Sequence, residues 1–296
     1  KLEKHIVERR IDQMEKEGVM FESDVNVGKT YPTEKLLNGF DSILLAGGST
    51  QPRDLPVYGR DLGGIHFAME YLPQQNDMVA GRSVDPALRI TAEGKNVVIL
   101  GGGDTGADCL GTAHRQGAKK VYQFELLPEP PSIRRTENPW PQWPMVLRLS
   151  AAHEEGGDRD YNVLTKGFSG SNGEVRKLHA VHVEWGAPDE TGRPEMNEIL
   201  GSEFDIEVEL VLLAMGFVHP EKEGMLEQLG VELDVRGNVK TDENKATNIP
   251  NVFAAGDMAR GQSLVVWALA EGREAARGID AHLMGETSLP RVISGR

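Results

Sequence analysis

The sequence predicts an α/β fold built from strand–turn–helix units, and three features predict it. An apolar run at residues 96–100 leads into Gly-x-Gly-x-x-Gly and then into a helical pattern. Residues 43–52 and 211–220 share one pattern, in which an apolar strand ends at Ala, Gly follows two residues later and Pro six residues later. A further apolar run, residues 252–257, ends in Gly-Asp before a long apolar stretch. Repeated strands that end in small residues before a helix indicate related α/β units.

The segments around these units carry simpler signals. Residues 2–18 place apolar side chains on one side of a helix, and residues 40–48 suit a buried strand. Residues 65–72 suit a helix that Pro73 would close. Residues 121–125 are predicted as a strand. A last helix is predicted from an N-cap at Ser263 to about Met284.

The glycines of the Gly-x-Gly-x-x-Gly pattern each have a physical role in binding a dinucleotide. Gly101 permits a tight turn, Gly103 lets a pyrophosphate approach the backbone, and Gly106 lets the helix pack close to the strand. The phosphates then lie at the helix N-terminus, where N–H groups and the helix dipole favour negative charge. The predicted phosphate-binding residues also include the remaining members of the turn, Gly102, Asp104 and Thr105.

The choice of nucleotide depends on residues after the next strand. Glu125 lies about 20 residues beyond the glycines, where an acidic side chain commonly binds the ribose 2′-hydroxyl. A carboxylate there repels a 2′-phosphate and so favours NADH weakly, although a solvated glutamate is the alternative. Arg134 and Arg135 favour NADPH, because an arginine pair can hold a 2′-phosphate. Trp140 and Trp143 either cover the adenine or anchor their loop.

Composition excludes several classes of function. The 296 residues are enough for about two domains, and 39% are hydrophobic. A net charge of −14 makes nucleic acid a poor partner. The single cysteine, Cys109, excludes a disulfide framework and an iron–sulfur cluster within this chain, and the eight histidines show no metal-ligand spacing. His153 is interpreted as part of a solvated turn. No apolar run reaches the roughly 20 residues that span a bilayer.

Together these features resemble the two-dinucleotide-binding-domain flavoprotein reductases, and among them most closely the glutamate synthase small (beta) subunits. The resemblance covers essentially the whole chain. Five segments carry it: residues 4–11, 101–109, 123–128, 138–141 and 254–273. The resemblance implies a Rossmann-like α/β fold in which an NAD(P)-binding domain is inserted into an FAD-binding domain.

The resemblance also implies a division of the chain and a function. Residues 1–90 are expected to form the end of the first FAD-domain segment with a linker, residues 91–217 the NAD(P)H-binding domain, and residues 218–296 the returning FAD-domain segment. Hydride would pass from NAD(P)H to FAD. Electrons would leave through iron–sulfur clusters, expected only in a missing N-terminal region or in the partner, to a glutamate-forming large subunit in the cytoplasm.

A second group of residues is assigned to the flavin by the resemblance. Gly256 and Asp257 match the family's second flavin motif, in which the aspartate bonds the ribityl or phosphate region. Gln262, Ser263 and Leu264 would lie near the isoalloxazine. Two further predicted cofactor-binding residues are Gly47 and Gly216, which follow the repeated strands. Alternatively, these two residues mark crossovers between the domains.

The chain departs from the family at its start. Neither a cysteine-rich cluster domain nor the first Gly-x-Gly-x-x-Gly for FAD precedes these elements, so an incomplete FAD domain is expected. Two alternative functions therefore remain: a related NAD(P)H:ferredoxin-type reductase, and a nucleotide-binding fragment without turnover. No catalytic acid or base is predicted, because hydride transfer between stacked rings needs no proton shuttle.

Overall fold

The chain divides into two compact units. The computed structural model describes residues 3–140, 145–188 and 194–292. One unit, here called the inserted unit, is Pro52–Phe217. The other, the flanking unit, consists of Lys1–Gln51 and Val218–Arg296. The inserted unit thus interrupts the flanking unit in the chain.

The inserted unit contains a five-stranded parallel sheet and an antiparallel sheet. Its helices are α3 (Ala68–Val79), α4 (Asp104–Arg115) and α5 (Ala151–Glu154). The parallel sheet has the order β3-β11-β4-β5-β6, from β3 (Ile65–Phe67), β4 (Asn96–Leu100), β5 (Lys120–Glu125), β6 (Asp158–Tyr161) and β11 (Leu210–Leu213). The antiparallel sheet contains β7 (Val163–Ser171), β8 (Glu174–Pro188), β9 (Pro194–Glu198) and β10 (Phe204–Glu207).

The central strand β4 explains why its sequence is an unbroken apolar run. Successive side chains of a strand point to opposite faces of the sheet. Val97 and Ile99 pack with residues of α3 and α4, whereas Val98 and Leu100 pack with residues of the antiparallel sheet. Both faces of the parallel sheet are therefore buried, which is the usual condition for a parallel strand without polar alternation. The unit has three layers: helices, parallel sheet and antiparallel sheet.

The predicted helix at residues 65–72 is wrong at both ends. Residues Ile65–Phe67 form strand β3, which pairs in parallel with β11. Helix α3 starts at Ala68 and continues through Pro73 to Val79. A proline removes one hydrogen bond from a helix interior. Burial of this helix against the sheet outweighs that loss, since Tyr71 is only 1% exposed.

The flanking unit combines helices with a two-stranded parallel sheet. Its first segment holds α1 (Lys4–Lys16), α2 (Thr33–Gly39) and β1 (Ile43–Leu45). Its second segment holds α6 (Met225–Leu229), β13 (Val252–Ala254), α7 (Asp257–Arg260) and α8 (Val265–Met284). Strands β1 and β13 pair in parallel, and their side chains form a core with α6. The short strands β2 (Gln51–Pro52) and β12 (Phe217–His219) pair with each other.

Among the described residues, no helix combines the length and apolar character that a bilayer crossing requires.

Candidate nucleotide-binding site

Two of the motif glycines lie where a side chain has no room. Gly101 has φ +125°, and a Cβ there would lie 2.3 Å from the carbonyl oxygen of Ala214. A Cβ on Gly106 would lie 2.2 Å from the carbonyl oxygen of Gly101. The turn that joins β4 to α4 therefore depends on close backbone contact at both positions. This contact brings the first turn of α4 against the end of β4.

Gly103 differs from these two glycines, because open space lies beside it. Apart from Gly103 itself and its two chain neighbours, no described heavy atom comes within 4 Å of a Cβ built at Gly103, and the residue is exposed. It is the N-cap of α4, and its carbonyl accepts the N–H of Ala107 at 3.0 Å. The amides of a first helical turn have no partner within the helix. Open space and outward amides at one place suit a diphosphate group.

An open cleft lies beside the same helix terminus, entirely within the inserted unit. Thr105 lines it, together with Gly216 after strand β11. The other lining residues are Pro52, Phe67, Ala68, Met69, Leu213, Ala214 and Phe217. The structure thus brings Gly216 close to the glycine turn. Gly47 belongs to the flanking unit, where a Cβ would lie 2.8 Å from the Met258 side chain.

Glu125 contacts the glycine turn directly. Its Oε2 accepts the N–H of Gly102 at 2.6 Å, and its Oε1 accepts the N–H of Leu127 at 3.1 Å. The side chain is half-buried at the end of β5. Each carboxylate oxygen accepts more than one hydrogen bond, so capacity remains for ribose hydroxyl groups. The solvated glutamate considered above does not match this geometry.

The loop after β5 is described only in part. Arg134 donates from Nη1 to the carbonyl oxygen of Asn138 at 3.1 Å, within the loop itself. Arg135 is exposed, and Trp140 is 83% exposed. Trp143 lies outside the described residues.

The predicted flavin corner lies between β13 and α8. Gly256 has φ +68° and donates its N–H to Oε2 of Glu271 at 3.0 Å. Asp257 opens α7, and its Oδ1 accepts the Ser263 hydroxyl at 2.8 Å. Gln262 lies between α7 and α8, where it has an interaction partner.

The predicted N-cap at Ser263 is wrong. Helix α8 begins at Val265, and Leu264 is its N-cap residue. The Ser263 hydroxyl binds Asp257 instead, so tertiary contact overrides the local capping preference. The predicted end of this helix at Met284 is confirmed.

Two buried polar residues that support these corners were missed by sequence reasoning. Gln123 is 2% exposed in β5 and donates to the carbonyl oxygen of Gly101 at 2.9 Å. Glu271 is 2% exposed in α8 and binds Gly256. The available signal was a polar residue inside an otherwise apolar segment, which is rare unless the residue has a partner. His153, interpreted as solvated, is half-buried and binds Gln123.

Comparison with known proteins identifies the fold. The family model of the pyridine nucleotide-disulphide oxidoreductases matches residues 3–272. The chain belongs to this family. The predicted α/β class with a parallel sheet is confirmed, and so is the resemblance to glutamate synthase small chains. This member is 52% identical, over 99% of its length, to the "glutamate synthase [NADPH] small chain" of Mycobacterium tuberculosis. It is 44% identical, over 98% of its length, to the "glutamate synthase [NADH]" of Schizosaccharomyces pombe.

This family member spans only part of those relatives. It covers 59% of the Mycobacterium tuberculosis chain and 14% of the Schizosaccharomyces pombe chain. Among solved structures, Mycobacterium tuberculosis FprA in complex with NADPH is similar, with a TM-score of 0.64 and 14% identity. That similarity covers 88% of this chain and 68% of FprA. At this identity the similarity supports the fold alone.

Although the family name includes disulphide chemistry, the thiol of this chain is inaccessible. Cys109 is 0% exposed in α4, and burial raises the pKa of its thiol from 9.0 to about 12. At pH 8 we expect a thiol reagent to label the native protein at least about 100-fold more slowly than the urea-unfolded protein, because the thiolate is the reactive form. Comparable labelling rates in the two states would contradict this burial.

Proposed function

We propose that this chain binds a reduced nicotinamide nucleotide at the first turn of α4 and transfers its hydride to FAD, as the electron-input part of a glutamate synthase. The open space beside Gly103, with Glu125 at the same turn, carries the nucleotide part of the proposal. The 52% identity to a glutamate synthase small chain supports the proposed hydride transfer to FAD and the electron-input role.

Different residues at the turn would bind different parts of the nucleotide. Amides of residues 103–106 would face the diphosphate, and the close contact between Gly101 and Gly106 would hold them in place. The Glu125 carboxylate would accept ribose hydroxyl hydrogen bonds while it holds the Gly102 N–H. Thr105 and Gly216 would line the approach to the nicotinamide end, since both face the cleft.

The flavin would use the corner formed by Gly256 and Asp257. The Asp257 carboxylate accepts a hydroxyl at present, which is the chemistry that a ribityl group offers. Leu264 and Val265 expose apolar surface at the start of α8, which suits contact with a flavin ring. When bound, FAD would supply two-electron acceptance and one-electron release.

The acceptor of these electrons lies beyond the chain. We infer a large-subunit partner in the cytoplasm and iron–sulfur clusters held outside these residues, because the single cysteine cannot hold a cluster. Nucleic acid is not a partner in this proposal, given the net charge of −14.

One experiment tests the proposal. The purified protein is mixed without oxygen with FAD and then with NADH or NADPH, and its visible spectrum is recorded. Bleaching of protein-bound flavin by either nucleotide supports the electron-input function. A colourless protein that still binds a nucleotide favours a binding module without turnover. Flavin reduction followed by transfer to ferredoxin, but not to a glutamate synthase large subunit, favours a related reductase.

Glu125 is proposed to disfavour NADPH through its charge, so that NADH is preferred weakly. In the Glu125→Ala variant we expect the ratio of NADPH affinity to NADH affinity to rise roughly tenfold, which corresponds to about 1.4 kcal/mol. Loss of the hydrogen bonds to Gly102 and Leu127 should weaken the binding of both nucleotides. The ratio of the two affinities therefore reports the effect of the Glu125 charge alone. Titration of each nucleotide gives the ratio, and an unchanged ratio would refute this assignment.

A further inference from the structure

A buried glutamine connects the glycine turn to a neighbouring short helix. Gln123 lies on β5 with the same side-chain direction as Glu125, since alternate residues of a strand share a face. Its Nε2 donates to the Gly101 carbonyl oxygen at 2.9 Å. A Cβ on Gly106 would lie 2.6 Å from that same Nε2. Gln123 therefore occupies the narrow contact between the first and last glycines of the turn.

The orientation of the Gln123 amide is set by His153. The backbone N–H of Ser150 donates to Nδ1 of His153 at 3.1 Å, so this ring nitrogen is an acceptor. The ring proton then lies on Nε2, which is 3.1 Å from Oε1 of Gln123. Because Oε1 accepts from His153, the amino group of Gln123 is directed at Gly101. The chain of hydrogen bonds runs from α5 through β5 to the glycine turn.

We propose that Gln123 and His153 are positioning residues for nucleotide binding. The pair holds the Gly101 carbonyl, and thereby the orientation of the α4 first-turn amides, without touching the ligand. This inference rests on the proposed nucleotide site. Since Gln123 is 2% exposed, removing its amide takes a buried donor away from the Gly101 carbonyl oxygen.

The inference predicts a specific pattern of nucleotide affinity. In Gln123→Leu we expect the Kd for the preferred reduced nucleotide to rise about tenfold, with KM raised and kcat unchanged in the flavin-loaded protein. Gln123→Glu keeps an acceptor for His153 but offers no donor to Gly101, so it should weaken binding similarly. His153→Ala should have a smaller effect, because the amide remains.

A double-mutant cycle separates positioning from general damage. Since His153 acts through Gln123, the double variant should bind no more weakly than Gln123→Leu alone. The matched control is Gln116→Leu, because Gln116 binds Tyr71, Ala92 and Gln75 near the opposite end of α4. That control should lower thermal stability and leave the Kd unchanged.

The measurement is direct titration of each purified variant with NADH and NADPH, below its unfolding temperature. A wild-type protein that binds neither nucleotide would overturn both this inference and the proposed function. Wild-type binding with the same Kd in Gln123→Leu would overturn this inference alone. If Gln123→Leu does not fold, the test uses His153→Ala and Gln123→Glu instead. A wild-type Kd in His153→Ala would overturn this inference. Additive effects of His153→Ala and Gln123→Glu in a double-mutant cycle would also count against it.

Discussion

Replacing Gly103 with alanine is expected to leave stability near the wild-type value while weakening nucleotide binding by about 100-fold, or roughly 2.7 kcal/mol. The backbone at Gly103, with φ −81° and ψ −174°, is allowed for alanine. Beyond residue 103 and its two chain neighbours, no described heavy atom lies within 4 Å of the new methyl group. In the proposed complex, however, the diphosphate occupies that space, and the methyl group would hold it away from the amides.

The control for this variant is Gly101→Ala. Its methyl group would lie 2.3 Å from the Ala214 carbonyl oxygen, at a backbone conformation that alanine rarely adopts. We expect it to lower both stability and binding. Nucleotide titration and urea unfolding of both variants distinguish the two cases. At Gly103 the open space would be occupied by the ligand, whereas at Gly101 the protein itself leaves no room for a side chain. Normal nucleotide binding by a folded Gly103→Ala variant would exclude a diphosphate at this turn.

Replacing Glu271 with alanine should have the largest effect on the stability of the flanking unit. The Glu271 carboxylate is 3.0 Å from Nζ of Lys245 and 2.9 Å from Nε of Arg260, and its side chain is 3% exposed. It also accepts the N–H of Gly256. Removing one partner of a buried charge network costs about 3–5 kcal/mol, because the remaining charges stay desolvated. Urea unfolding measures this loss directly.

Two further variants test the reason for that effect. Glu271→Gln keeps an acceptor for Gly256 and loses the charge, so we expect a smaller loss of stability. Glu232→Ala removes a comparable carboxylate from an exposed pair with Lys240, and should cost less than about 1 kcal/mol. Because Glu271 holds the Gly256 turn, its removal should also lower the amount of FAD retained per protein. Equal free energies of unfolding for Glu271→Ala and Glu232→Ala would refute the buried charge network around Glu271.

Local signals predicted the elements that have a strong pattern of their own. The apolar run of β4 could be identified because both faces of a parallel strand are buried, and the Gly101 turn because only glycine fits it. Patterns failed where two elements compete for one segment. Residues 65–72 have a helical composition, yet pairing with β11 makes the first three a strand. Neither the Pro73 signal nor the capping preference of Ser263 outweighed such tertiary contacts.

The supporting residues were beyond sequence reasoning for a different reason. The contacts of Gln123 with Gly101 and His153 join positions 22 and 30 residues apart, and nothing in the local sequence indicates the pairing. The same holds for Glu271, whose partner Lys245 lies before β13. Only the assembled sheet and helices place these groups within hydrogen-bond distance.

The amino-acid sequence by itself determined the α/β class and the glycine turn, because backbone conformation and side-chain periodicity are local properties. The tertiary structure alone decided where the first helix of the inserted unit starts, which buried side chains hold the glycine turn, and how the Glu271 charge is balanced. These outcomes depend on groups distant in the chain, and their free energies arise only when burial removes water from both partners.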